Sequence, residues 1–248
     1  MTSPAPELSI VIPAYNEARR LPETLRRTLA YLKARPISAE VIIVDDGSTD
    51  ETPRIIDAWS PNFPGLRIVS NGRNRGKGYS VRHGMLEARG RVVLFTDADL
   101  SAPIEEADKL LGALADADAA IGSRGVDRSL IEIHQSAFRE FAGKVFNTIV
   151  RLITGLPFAD TQCGFKAFVR ERARIVFEQQ RIERFGFDPE ILFLAKRHGL
   201  RAAEIGVRWA HDPATKVHVF RDSLRMLFEV LAIRWNWLLG RYPKAPAG

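Results

Sequence analysis

Along the first half of the chain, short apolar runs alternate with segments in which apolar residues recur every three or four positions. The runs are LSIVIP (8–13), EVIIVDD (40–46), LRIVS (66–70), RVVLFTD (91–97) and DAAIGS (118–123). They are rich in β-branched residues and nearly continuous in hydrophobicity, as parallel strands covered on both faces are. Between them Leu21, Leu25, Leu29 and Leu32 mark one helix, Val81, Met85 and Ala88 a second, and Ile104, Ala107, Leu111 and Leu114 a third. This alternation predicts an α/β sheet with right-handed crossovers, whose ligands bind beyond the carboxyl ends of the strands. The polar clusters AYNE, DDGSTD and DADLS all fall at those ends.

After about residue 123 the rhythm changes. Residues 130–156 read as a helix with a broad apolar face, FDPEILFLAKRHG as a helical segment, AAEIGVRWA as strand-like, and about 219–239 as a last long helix. That last helix carries two apolar stripes side by side. One runs through Phe220, Leu224, Leu227, Leu231, Trp235 and Leu238, the other through Val219, Met226, Val230, Ile233 and Trp237. A helix this apolar must be covered, and three covers are open to it: a bilayer interface, the body of the domain, or a second subunit of a homo-oligomer. One domain over residues 1–217, followed by a C-terminal amphipathic helix and tail over 218–248, is the simplest organisation.

Composition narrows the class without choosing a chemistry. With 248 residues, 46% hydrophobic and 27% charged, the chain can bury an ordinary globular core. A single cysteine, Cys163, excludes an intrachain disulfide framework and any Cys-rich zinc site, and fits a reducing compartment. No basic stretch leads into a long apolar one at the start, and no apolar run approaches the roughly 18–20 residues of a spanning helix. A cytoplasmic location is therefore expected. The net charge of +6 favours an anionic partner. Its basic residues gather in Gly-rich and strand-end loops, not on a recognition helix, which disfavours nucleic acid.

The sharpest local feature is VVLFTDADLSAP (92–103), where a buried-strand pattern ends in Asp97 and Asp99. Two carboxylates forced together share a proton or bind a cation, unless they merely form a solvated turn that caps the next helix. A hard divalent ion that borrows phosphate oxygens from a substrate needs only one or two protein carboxylates. VDDGSTD places Asp45 and Asp46 at another strand end, where an acid can accept from a nucleobase or from ribose hydroxyls, or serve turn chemistry alone. NGRNRGKGYSVRHG sets Arg73, Arg75, Lys77 and Arg82 among four glycines, a composition that lets backbone N–H groups approach an anion. It has neither Walker A spacing nor a dinucleotide fingerprint.

In order along the chain, SIVIPAYNE, VIIVDDGSTD, NRGKGYSVRHG and FTDADLSAP resemble the inverting nucleotide-sugar glycosyltransferases of family 2, which have the GT-A fold. GSR (122–124), DTQCGFKAF (160–168), GFDPEILFLAKRHG (186–199) and VRWAH with TKV (207–217) are similar to the polyprenyl-phosphate sugar transferases, with the dolichyl-phosphate β-glucosyltransferase branch nearest. The resemblance implies a GT-A (Rossmann-like), mostly parallel central sheet with helices on both faces. It implies transfer of a hexose, glucose from UDP-glucose, to a polyprenyl phosphate with Mg²⁺ or Mn²⁺. GDP-mannose or another donor, a polysaccharide or protein acceptor, and a non-catalytic binding module are the alternatives.

Carried onto this sequence, the resemblance places Pro13, Ala14, Tyr15 and Glu17 around the nucleoside, with Asp46 or Asp45 on the base. Lys77 and Ala98 would face the donor, and Asp97 and Asp99 would hold the metal. Arg124, Arg139 and Lys216 would grip phosphates. Asp188 would stand near the acceptor, positioning groups and not abstracting a proton. Ser101 stands where mannosyl relatives often have Gln, which weakens a mannose donor. A lipid acceptor implies peripheral attachment at the cytoplasmic face of a membrane, through the C-terminal helix.

Overall fold

The computed structural model describes residues 5–211 and 219–243. Among these residues the alternating half runs β1 (Leu8–Ala14), α1 (Leu21–Lys33), β2 (Ala39–Asp45), α2 (Thr52–Trp59), β3 (Leu66–Ser70), α3 (Lys77–Glu87), β4 (Val92–Thr96), α4 (Ala107–Ala113) and β5 (Ala119–Ser123). The second half adds β6 (Ile131–Ile133), α5 (Ala137–Thr154), β7 (Phe165–Val169), α6 (Arg170–Gln179), α7 (Phe187–Arg197), β8 (Ala202–Gly206), β9 (Trp209–Ala210) and α8 (Val219–Leu238). One seven-stranded sheet has the order β3-β2-β1-β4-β7-β5-β8, and β6 pairs with β9. Every pair in the large sheet is parallel except those of β7, which runs antiparallel to both β4 and β5.

Strand alternation divides the core in two. Ile10, Ile12, Val41, Ile43 and Leu94 point into one cluster with Leu21, Leu25 and Leu29 of α1. Their strand neighbours Val11, Ile42, Val44, Val93 and Phe95 point into the other, against α3, α6 and α7. Each fully buried side chain of this kind contributes about 1.5–3 kcal/mol over leaving it in water. Both faces are covered, as the continuous apolar runs require.

Three segments of the second half take their form from the structure. The helix expected over 130–156 begins only at Ala137, where the Ser136 side chain accepts the Arg139 N–H, and residues 131–133 pair instead with β9. FKAFV is a strand, inserted in the sheet with a lysine at its second position. The two stripes of α8 meet different surroundings. Val230 and Ile233 are fully buried, and Trp237 meets Phe193 of α7 edge-on at 6.1 Å, whereas Leu224, Leu231, Trp235 and Leu238 are exposed. This helix therefore packs on the second core. Among the described residues, no helix is long and apolar enough to cross a membrane.

Just beyond α8 the chain is fastened by a buried carboxylate. Tyr242 Oη donates to Glu190 Oε1 at 2.6 Å, and the Ile182 N–H donates to Oε2 at 2.8 Å. Burial pushes the Glu190 pKa up from 4.5 to about 7, although these donors pull it down. The folded protein thus keeps a proton that the unfolded chain has lost. The stability associated with this group falls as pH rises from about 4.5 to about 7. Tyr242→Phe removes a donor to the anion, so it is expected to cost about 1.5–3 kcal/mol well above pH 7 and less well below it. Urea unfolding at both pH values reads the difference; an equal loss would mean that Glu190 carries no charge change there.

Candidate active site

Register brings the carboxyl ends of the strands to one edge. Ala14 lies opposite Asp45, and the Asp46 N–H donates to Ala14 O at 2.8 Å. Beyond β4 the chain turns at once: Leu100 N–H returns to Asp97 O at 3.1 Å, with Leu100 at φ 47°. Thr24 Oγ1 donates to Ala98 O at 2.5 Å and holds the turn to α1. Asp99 Oδ1 accepts the Ser101 N–H at 2.9 Å. The turn therefore presents both acids at the sheet edge.

Two lysines meet these acids. Lys77, the first residue of α3, lies 2.6 Å from Asp97 Oδ1. Lys166 of β7 is fully buried, ion-paired with the equally buried Asp188 in the first turn of α7, and its Nζ also donates to Cys163 O at 2.5 Å. Phe95 and Phe187, 5.9 Å apart, line the space, with Lys166 Nζ 5.5 Å from the first ring and Lys77 Nζ 6.0 Å from the second. Burial opposes the Lys77 ammonium, but Asp97 and Asp188 prevail and hold its pKa up to about 12. Burial, then the Asp97 charge, raises the pKa of Asp99. Burial raises that of Asp188 against the pull of Lys166 and Lys77. Three carboxylates and two ammonium groups thus share one low-dielectric edge.

The Asp97 carboxylate rests on bare backbone. A Cβ at Gly164 would lie 2.3 Å from Oδ2, so only glycine leaves room for it. Among the described residues no group of three His, Cys, Asp or Glu side chains could enclose a metal. Asp97 and Asp99 nevertheless suit a hard cation whose remaining ligands are water and phosphate oxygens.

Other expected residues have different surroundings. Asp46 is fully engaged with the Gly-rich loop: Oδ1 accepts from Asn71 Nδ2 at 2.8 Å and the Arg75 N–H at 2.9 Å, and Oδ2 accepts the Gly76 N–H at 2.8 Å. Gly76, at φ 111°, permits that curl. Asp46 is therefore a loop organiser, while among the described residues the Asp45 side chain accepts only the Ser48 N–H. Of the nucleoside set, Pro13 is half-buried, Ala14 is buried and Tyr15 is exposed. The Glu17 carboxylate is met by Arg20 at 3.1 Å, and its N–H donates to Thr52 Oγ1 at 2.8 Å.

Arg124, expected on phosphate, closes its fork on Asp160 at 2.6 and 2.9 Å. Burial disfavours the Asp160 anion, yet Arg124 lowers its pKa to about 2. Asp160 and Ala159 are fixed in turn by Glu204 of β8 at 2.8 and 2.9 Å. Arg139 is half-buried in the first turn of α5 and makes no ion pair among the described residues. Lys216 lies outside the described residues.

Comparison with known proteins gives the lineage. The model of glycosyl transferase family 2 matches residues 9–173. The chain belongs to glycosyl transferase family 2. It is 38% identical to a dolichyl-phosphate beta-glucosyltransferase of Drosophila melanogaster, over 97% of this chain and 78% of that protein. It is 34% identical to the Homo sapiens protein of the same name, with the same coverage. The fold is that of glucosyl-3-phosphoglycerate synthase from Mycobacterium tuberculosis, crystallised with Mn²⁺, UDP and glucosyl-3-phosphoglycerate. The TM-score is 0.64 at 20% identity, covering 98% of this chain and 82% of that one. This is the GT-A architecture.

Sequence reasoning did not single out Lys166, Asp160 or Gln162, whose Nε2 is buried without a hydrogen-bond partner among the described residues. The available signal for Lys166 was a charge inside the apolar run FKAFV. Removing one member of a buried ion pair leaves the other uncompensated. Lys166→Met should therefore cost about 3–5 kcal/mol in urea unfolding. Adding Asp188→Asn should cost less than the sum of the two single losses, by about 1 kcal/mol or more. Additive losses would show that the two groups do not depend on each other.

Proposed function

We propose that this chain transfers glucose from UDP-glucose to a polyprenyl phosphate with inversion, giving a β-linked lipid-phosphate sugar. The carrying observation is the acid–lysine edge of Asp97, Asp99, Asp188, Lys77 and Lys166, in a chain 38% identical to a dolichyl-phosphate beta-glucosyltransferase. In this reading Asp45 takes the nucleobase, beside Pro13, Ala14, Tyr15 and Glu17, while Asp46 shapes the loop that presents Lys77. Asp97 and Asp99 hold Mg²⁺ or Mn²⁺. Both ions occur in structures of the mycobacterial synthase. The ion, when bound, offsets charge that builds on the departing diphosphate.

Asp188 is a positioning carboxylate. A monoalkyl phosphate loses its second proton near pH 6, so the acceptor is already largely a dianion at neutral pH and requires orientation more than deprotonation. Lys166 holds Asp188, and Lys77 feels its charge, so the acid keeps cations where two phosphate groups must meet. Arg139 and Lys216 are the further candidates for the acceptor phosphate, and the buried amide of Gln162 for a sugar hydroxyl. A lipid acceptor goes with peripheral attachment to the cytoplasmic face of a membrane.

The direct test is a donor panel, UDP-glucose and GDP-mannose among others, with Mg²⁺ or Mn²⁺ and a short polyprenyl phosphate. Glucosyl-lipid should form from UDP-glucose and vanish with chelator or with Asp97→Asn. Release of free nucleotide diphosphate with no lipid product from any donor would remove the acceptor from the proposal.

Lys77 gives a second test. Its ammonium is the cation nearest Asp97, so in this reading it competes with the metal and moves to the diphosphate when the donor arrives. Lys77→Met should bind Mn²⁺ alone about tenfold more tightly, a gain of ~1.4 kcal/mol, and bind UDP with Mn²⁺ more weakly. Electron paramagnetic resonance of free Mn²⁺ measures the first quantity. Unchanged or weaker Mn²⁺ binding in the variant would rule out the competition.

A further inference from the structure

Behind the first turn of α3 lies a cavity of about 390 Å³. α3 contributes Tyr79 and Arg82, the chain leaving α6 contributes Gln180 and Arg181, and the strap after α8 contributes Arg241 and Pro243. A helix turns about 100° per residue, so Tyr79 and Arg82 project roughly 200° and 140° round from Lys77. The cavity therefore sits across that helix from the acid–lysine rim, and neither Lys77 nor any rim carboxylate lines it.

The charge of its wall is one-sided. Arg82, Arg181 and Arg241 make no ion pair among the described residues. Their guanidinium groups donate to neutral oxygens there, among them Phe177 O at 2.8 Å, Arg241 O at 3.0 Å and Asn236 Oδ1 at 3.1 Å. The two acids in the wall are already engaged: Glu178 lies 2.8 Å from Arg174, and Glu183 is paired with Arg75. Three guanidinium groups thus line one space without a counter-charge of their own. Such groups bind phosphate oxygens in pairs. A water takes about 30 Å³, so the space holds about a dozen and exceeds what a single phosphate group requires.

We propose that this cavity is a second anion site, separate from the rim, for a small solute carrying two phosphate groups. The site does not depend on which sugar or acceptor the rim serves. Its wall is built into the seat of α3. Gln180, almost fully buried, donates from Nε2 to Gly78 O at 2.8 Å, and the Tyr79 N–H donates to Glu183 O at 3.0 Å. A Cβ at Gly78 would lie 2.6 Å from Ile182 O, so backbone meets backbone there. An anion held by Arg82, Arg181 and Arg241 ties three segments together: α3, the exit of α6 and the strap after α8.

The test titrates inorganic pyrophosphate, and separately inorganic phosphate, into the full chain by calorimetry. Chelator is present, so that no divalent ion draws the probe to the rim. Pyrophosphate should bind about tenfold or more tightly than phosphate. Arg82→Gln with Arg241→Gln should weaken pyrophosphate about tenfold or more, whereas Lys77→Met, which alters the rim, should bind it as wild type does. By linkage, pyrophosphate should raise the melting temperature of wild type and not that of the arginine variant. Binding that survives the arginine pair, or that Lys77→Met abolishes, would overturn the site. Equal affinity for phosphate would overturn the two-phosphate ligand. Hydrogen exchange on wild type needs no substitution and decides the matter if the arginine variant does not fold. Pyrophosphate should slow exchange over residues 178–183 and at 241–242; slowing confined to the turn after β4, or none, would sink the proposal.

Discussion

The arrangement depends on a balance of charge at the rim of the sheet. Asp97, Asp99 and Asp188 converge there with Lys77 and Lys166, and both Asp188 and Lys166 are almost wholly removed from water. Neither member of that buried pair is left uncompensated, which matters because desolvating a lone charge costs several kcal/mol. Asp97 and Asp188 hold Lys77 charged in turn, and the set carries one more carboxylate than ammonium. That surplus leaves the rim receptive to a cation, which is the condition for then accepting a diphosphate.

The fold supplies this rim through direction. β1, β2 and β4 are parallel and in register, so their carboxyl ends and the turns after them reach one edge together. β7 enters between β4 and β5 in the opposite sense, so its amino-terminal end arrives at the same edge with Lys166 and the preceding loop of Asp160 to Gly164. The starts of α3 and α7 bring Lys77 and Asp188 from the face of the second core. Four elements that are distant in sequence thus meet because one strand is reversed.

Much of this was legible in the sequence. Parallel strands covered on both faces are almost uninterrupted in hydrophobicity, so β1, β2, β4 and β5 and the acids at their ends stood out. β7 did not, because a lysine in FKAFV breaks the apolar run, and its partner Asp188 lies 22 residues further on. Nor could the sequence divide work between adjacent acids. Asp46 looks as fit for a nucleobase as Asp45 until its oxygens are seen to be occupied by backbone N–H groups that only a particular loop path delivers. In α8 both stripes were evident, but which one docks on the domain depends on where Phe193 and Gly186 lie. Periodicity reports that a face is apolar; topology decides what covers it.

The same balance bears on the proposed role of Asp188, which positions groups and takes no proton. A base is useful when the nucleophile arrives protonated, and a lipid phosphate does not. What the reaction lacks is a way to bring two anions, a diphosphate and a phosphate, to the same place. Lysines waiting there unpaired would themselves be unstable in a desolvated setting and would tend to lose their charge. Carboxylates placed against them prevent this: Asp97 and Asp188 hold the pKa of Lys77 up to about 12 although burial pulls it down. On this account the acids at the rim keep the cations charged until substrate phosphates replace the acids as their partners. The preorganised field that then acts on the leaving diphosphate was assembled by folding, before any substrate was bound.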